Sequence, residues 1–181
     1  AFAKELTKAK KFVLLGQGTA LHAAMIGEYL LEDMVKVPAV AEYASEFRYR
    51  NPIIEENNVV IAVSQSGETA DTLSALHEAK HRGALALGVI NVVGSSISRE
   101  TDAGVYLRVG PEIGVASTKA FTGQVAVLTL ISLYLARKRF MSGDQVTDLM
   151  KELENIPAKM ERILEQNDVI KTVTEKYVHR E

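Results

Sequence analysis

The sequence predicts an α/β protein of three layers, a five-stranded parallel sheet between helices, followed by C-terminal helices. Two observations carry this. Short apolar, β-branched runs alternate with helix-period segments as far as about residue 109, and alternation at this spacing calls for parallel strands joined by helical crossovers. From Ser117 onward only helical periodicity remains.

The elements follow in order. The opening Ala1-Phe2-Ala3-Lys4-Glu5-Leu6 reads as mid-helix. Phe12-Val13-Leu14-Leu15 is the first strand, closed by Gly16, and a helix runs from about Thr19 to Met34. Val37 to Tyr43 is the second strand, and Pro38 near its start suits a sheet edge. Asn58 to Val63 is the third, and its unbroken β-branched character predicts burial on both faces. Gly67 to Arg82 is amphipathic, with Leu73, Leu76 and Ala79 at helical spacing and Gly83 as the stop. Leu85 to Ile90 is the fourth strand and Ala103 to Val109 a weaker fifth. Helices are expected over about 116–140 and 143–155, with a break at Pro157 and further helix beyond. The expected division is a sheet domain at 1–142 and a helical connector at 143–181. Both ends read as cut from something longer.

Composition narrows the function classes. A net charge of −2 gives no reason to expect nucleic acid or an anionic membrane as a partner. The absence of cysteine excludes disulfides, thiolate zinc sites and a cysteine nucleophile from this chain, and fits the reducing cytoplasm expected for it. The longest near-apolar stretch, Val125 to Ala136, is shorter than the roughly 20 residues a bilayer span needs and reads as a buried helix. The N-terminus shows no basic-then-apolar signal segment.

In an open parallel sheet, ligands bind beyond the carboxyl ends of the strands. Three loops rich in small and hydroxyl residues fall there: Gly16-Gln17-Gly18-Thr19, Ser64-Gln65-Ser66-Gly67-Glu68-Thr69 and Gly114-Val115-Ala116-Ser117-Thr118-Lys119. The middle loop turns a buried strand into a helix, whose unpaired N–H groups and partial positive charge hold anions. Ser64, Ser66 and Thr69 add hydroxyl donors, and Gly67 permits close backbone approach. The plainer reading is that Ser66 caps the helix.

Other candidates are weaker. Gly16-x-Gly18 with Glu42 near the end of strand two suggests a dinucleotide fingerprint, but Leu21 stands where its third glycine belongs. No P-loop pattern occurs. His77 and His81, four apart on a helix, could chelate a metal but have no third ligand in view. His22 beside the first loop reads as structural, and Lys119 either neutralises a ligand anion or points to solvent. Glu32-Asp33 and Glu55-Glu56 read as helix-end and turn charges.

Ser64 to Leu73, S-Q-S-G-E-T-A-D-T-L, resembles the signature of sugar isomerase (SIS) domains. Ala44 to Arg50, A-S-E-F-R-Y-R, and Glu112 to Thr122, E-I-G-V-A-S-T-K-A-F-T, are similar to segments of the glutamine–fructose-6-phosphate aminotransferase (glucosamine-6-phosphate synthase) family, specifically the first SIS subdomain of its isomerase domain. The resemblance implies a flavodoxin-like five-stranded parallel sheet. It implies fructose 6-phosphate or glucosamine 6-phosphate as ligand, with the phosphate on Ser64, Gln65, Ser66 and Thr69. Val115 and Ser117 would contact the sugar, and Gly18 and Thr19 belong to the family's first loop. Ala20 stands where the family pattern has a ligand-contacting serine, which puts that one contact in question.

The family's Schiff-base lysine, proton-transferring glutamate and ring-opening histidine match nothing here. The resemblance therefore implies no catalytic residue in this chain, no metal or organic cofactor, and as partners a second SIS domain, a glutaminase domain and a second copy in a homodimer. The alternatives are a sugar-phosphate sensor, which would ordinarily carry a helix-turn-helix, and a stand-alone isomerase, which would need its own acid and base at the loops.

Overall fold

The structure is a computed structural model and describes residues 2–114 and 116–178. It divides into two compact units, Ala1–Met141 and Ser142–Glu181.

The first unit is built on five strands: β1 (Lys11–Gly16), β2 (Ala39–Tyr43), β3 (Asn58–Ser64), β4 (Leu85–Ile90) and β5 (Ala103–Tyr106). All pair in parallel, in the order β2-β1-β3-β4-β5. The predicted α/β sheet is therefore present. Every residue of β3 is buried, as its β-branched run requires of the central strand.

Strand alternation divides the core into two faces. Phe12, Leu14, Val59, Ile61 and Val63 face α2 (Thr19–Leu30) and α6 (Lys119–Arg139), which pack on each other. Val13, Leu15 and Val60 face α3 (Ala44–Tyr49) and α4 (Ala70–His81); Ala62, Ala86 and Ile90 face α4 and α5 (Ser96–Glu100). A short α1 (Phe2–Thr7) packs beside α6.

After α2 the chain widens into one π turn, Leu31–Val35, and one carboxylate from each of the two serves the sheet edge. Glu28 accepts a hydrogen bond from Ala41 N at 2.7 Å and Glu32 one from Ala39 N at 3.1 Å. These carboxylates occupy backbone donors of β2 that an unprotected edge would offer to another chain.

The expectation for the apolar stretch needs correction. It lies inside α6, which at 21 residues is long and apolar enough, by length and composition alone, to cross a membrane. Arg137-Lys138-Arg139, good helix formers, extend it beyond the apolar run, and before the run it continues back through Gly123 and Thr122 to Lys119. In this unit the helix buries Ala120, Gln124, Leu128, Ser132, Leu133, Leu135 and Ala136 against its neighbours.

The second unit contains α7 (Gly143–Glu154), α8 (Ile156–Leu164) and α9 (Asn167–Glu175), none with a buried residue. A capping box starts α7, Ser142 accepting from Gln145 N at 3.2 Å and the Gln145 side chain accepting from Ser142 N at 3.1 Å. The predicted break falls at Asn155, and Pro157 sits in the first turn of α8, where its missing N–H has no intrahelical partner to lose.

Candidate functional site

In the strand order found here, connections leave β1 toward one edge and β3 toward the other, and the crevice between their carboxyl ends is where such sheets hold ligands. The loops following β1 and β3 flank it. Gln17 Nε2 of the first lies 3.5 Å from Asp71 Oδ2 in the first turn of α4, and Arg48 of α3 pairs with Asp71 Oδ1 at 3.6 Å. One carboxylate thus joins the first loop, the A-S-E-F-R-Y-R segment and the start of α4.

The Ser64–Thr69 loop is shaped by its own hydroxyls. Ser64 is buried, and its Oγ accepts from Gly67 N at 3.0 Å. Ser66 Oγ accepts from Glu68 N at 3.2 Å. The N-cap of α4 is Thr69, and no side chain caps the helix. Ser66 therefore does not cap α4; its bond closes the turn before it, because the helix begins four residues later. A twelve-residue helix consequently starts at the crevice with its first N–H groups unserved by any side chain among the described residues.

A second layer of polar contacts holds this loop from behind. Gly67, at φ 67°, lies against Ser95, and its carbonyl accepts from Ile97 N at 2.9 Å. Glu68 Oε1 accepts from Ser96 N at 2.8 Å, and the Ser96 hydroxyl and backbone N–H hold this carboxyl below its ordinary value. Asn91 joins the middle loop to the segment that follows β5 and leads to the third: its N–H donates to Gln65 O at 3.3 Å, its Nδ2 donates to Gly110 O at 2.8 Å, and its Oδ1 accepts from Val109 N at 3.2 Å.

In the third loop Glu112 dominates. Its Oε2 accepts from the Ser117 hydroxyl at 2.8 Å, and its Oε1 accepts from the N–H groups of Thr118 and Lys119 at 2.9 Å each and of Ala120 at 3.3 Å. The Thr118 N–H first, then the Ser117 hydroxyl, hold the Glu112 carboxyl below its ordinary value. Val115 lies outside the described residues.

The remaining candidates find other partners. Arg50 takes both oxygens of Glu42, at 2.6 and 2.5 Å, so the acid of the dinucleotide reading is already engaged. His77 lies 3.4 Å from Glu100, and among the described residues no three His, Asp or Glu side chains gather as a metal site would require. Lys119 and His22 are exposed. A cavity of about 240 Å³ opens beside β5, lined by Gly88, Ile90, Ser98, Asp102 and Tyr106, and no residue of the three loops lines it.

Asn91, Ser95 and Glu112 were not among the residues singled out from sequence. Each acts through a contact across at least five residues, which no local spacing rule flags. Glu112 sits six positions before Thr118, outside the S/T-x-x-E capping pattern.

Comparison with known proteins adds a family. The family model described as the SIS domain matches residues 5–134. A glutamine–fructose-6-phosphate aminotransferase (isomerizing) of Bacteroides thetaiotaomicron is 50% identical over 179 residues, 98% of this chain and 29% of that protein. One from Chlorobaculum tepidum is 52% identical over 94% of this chain and 28% of its own length. The solved C-terminal domain of glucosamine-fructose-6-phosphate aminotransferase from Francisella tularensis superposes with a TM-score of 0.93 at 35% identity, covering 99% of this chain and 51% of that one. The chain thus spans less than a third of these curated relatives and about half of that domain.

Proposed function

We infer the role of this chain from the premise that it belongs to the SIS domain family. It is the first SIS half of the isomerase part of a glutamine–fructose-6-phosphate aminotransferase, and it binds fructose 6-phosphate, or the product glucosamine 6-phosphate, for amino-sugar biosynthesis. The observation that carries this reading is the Ser64–Thr69 loop, an uncapped twelve-residue helix start ringed by hydroxyls at the β1/β3 crevice.

A phosphate there would be held by the first N–H groups of α4, the end of its dipole and the hydroxyls of Ser66 and Thr69. The Ser64 oxygen already accepts from Gly67 N, which leaves its proton free to donate inward. Gln65 shares the same turn. Gly18 and Thr19 of the first loop and Ser117 of the third would contact the rest of the ligand; Val115, the other sugar contact implied by the family, lies outside the described residues.

The one hydroxyl–carboxylate pair described in the loops, Ser117 with Glu112, has its carboxylate tied to three backbone N–H groups and held below its ordinary value, which makes it a poor base, so the chain's contribution is positional. Binding energy at the non-reacting phosphate fixes a ketose whose chemistry is performed by the remaining half, which would supply the Schiff-base lysine and the proton-transfer groups. The second SIS half, the glutaminase domain and a second copy of the chain are its partners on this reading, and no metal or organic cofactor is called for.

Calorimetry with fructose 6-phosphate tests it. Ser66→Ala and Thr69→Ala should each weaken binding roughly ten- to a hundredfold, the worth of one hydrogen bond to a charged group. The Ser66 bond to Glu68 N is exposed, so the Ser66→Ala melting temperature should hardly move. Unchanged affinity with lowered melting would return these residues to a turn-forming role.

A further inference from the structure

The carboxyl-end side of the sheet carries two helix starts that differ in one respect. The first turn of α4 has no side-chain cap, whereas that of α6 is filled by a carboxylate of the chain itself. Glu112 Oε1 takes the N–H groups of Thr118, Lys119 and Ala120, so an outside anion finds this helix end occupied.

The other carboxylate oxygen fixes a proton. An ionised carboxylate can only accept, so across the 2.8 Å between Ser117 Oγ and Glu112 Oε2 it is the serine that donates. A hydroxyl has one proton, and this one is spent. What Ser117 then offers a ligand is lone pairs. A phosphate dianion has nothing to donate to them, whereas a sugar hydroxyl does.

We propose that Glu112 is a positioning residue that sets ligand polarity at this site: by taking the Ser117 proton it makes Ser117 an acceptor for a sugar hydroxyl, and by filling the start of α6 it directs the phosphoryl group to the Ser64–Thr69 loop. The proposal rests on the sugar-phosphate reading above and adds the residue that enforces the ligand orientation given there. A sugar phosphate entering in the reverse sense would set its phosphate against a carboxylate and an acceptor oxygen, an arrangement repelled by both.

The test compares fructose 6-phosphate with inorganic phosphate by calorimetry, on the wild-type chain, Glu112→Gln, Ser117→Ala and the double variant. In Glu112→Gln the amide carbonyl still accepts from the α6 N–H groups, while its NH₂ donates to Ser117 and reverses that hydroxyl. Affinity for fructose 6-phosphate should fall about tenfold in Ser117→Ala, which removes the contact, and by a smaller factor, about threefold, in Glu112→Gln, where the sugar hydroxyl must turn round to accept from Ser117; inorganic phosphate should change less than twofold in either. The double variant should be no weaker than Ser117→Ala, because both changes act on one contact. Equal weakening toward both ligands, unchanged affinity for fructose 6-phosphate, or additive losses would overturn the proposal. Should Glu112→Gln fail to fold, Ser117→Ala alone must still discriminate between the two ligands, and its failure to do so overturns the proposal equally. A wild-type chain that binds neither ligand overturns the sugar-phosphate reading itself, a result distinct from wild-type binding that Glu112→Gln leaves untouched.

Discussion

Replacing Gly67 with alanine perturbs the middle loop at its most crowded point. The residue has φ 67°, a conformation that costs an L side chain roughly 1–2 kcal/mol. An added methyl would also lie 2.6 Å from Ser95 Cβ, closer still to Ser95 Oγ, and 3.0 Å from Ile90 Cγ2. Forcing atoms into a packed site typically costs about 1–3 kcal/mol more. The sum, about 2–5 kcal/mol, corresponds in a chain of this size to a fall in Tm on the order of 10 °C. Differential scanning calorimetry of Gly67→Ala reads this directly.

Ser95→Gly in the same chain provides the control. It removes both Ser95 atoms that the methyl meets. The buried Ser95 Oγ has no hydrogen-bond partner, and α5 has no side-chain cap, so no hydrogen bond is lost with it. The double variant should regain part of the loss and retain the φ strain and the Ile90 contact. A Gly67→Ala protein melting within about 2 °C of wild type, which corresponds to only ~1 kcal/mol, would refute the packing argument. So would a double variant that regains nothing.

Two further outcomes follow from the polar layer behind the loops. Asn91→Ala removes the bonds to Val109 N and Gly110 O, so hydrogen exchange should quicken across residues 107–114 while β3 and β4 stay protected; uniform protection would deny Asn91 its bridging role. Glu68 has a folded pKa below its ordinary value, so its contribution to stability is present above the unfolded carboxylate range and is lost as pH falls through the folded pKa. Wild type should therefore melt above Glu68→Gln at pH 7, and the gap should close below about pH 4; a gap that persists at pH 3 would contradict the sign.

The sheet was legible because its signals are local. A continuous β-branched run marked β3 and a short apolar run marked β4 nearly to the residue, and Pro38 marked β2 as an edge strand. The short helices α3 and α5 escaped, since six and five residues are too few to establish a period. At the site, hydroxyl and glycine residues at strand ends were readable as loop chemistry, and the S-Q-S-G-E-T signature gave them a family. What periodicity cannot show is which partner a polar side chain finds. Ser66 was readable as a cap or as a ligand contact, and its bond to Glu68 N fits neither an α4 cap nor an idle hydroxyl. Glu112 looked like one charge in a motif until the fold brought it onto Ser117 and the start of α6.

If the start of α4 receives a phosphate, an amide NMR titration of the chain with fructose 6-phosphate will show it residue by residue. The largest shift changes should fall on the N–H groups of residues 66–72, inorganic phosphate should reproduce them at higher concentration, and unphosphorylated fructose should not. Changes centred elsewhere, such as on the cavity beside β5, or none at saturating ligand, would contradict it.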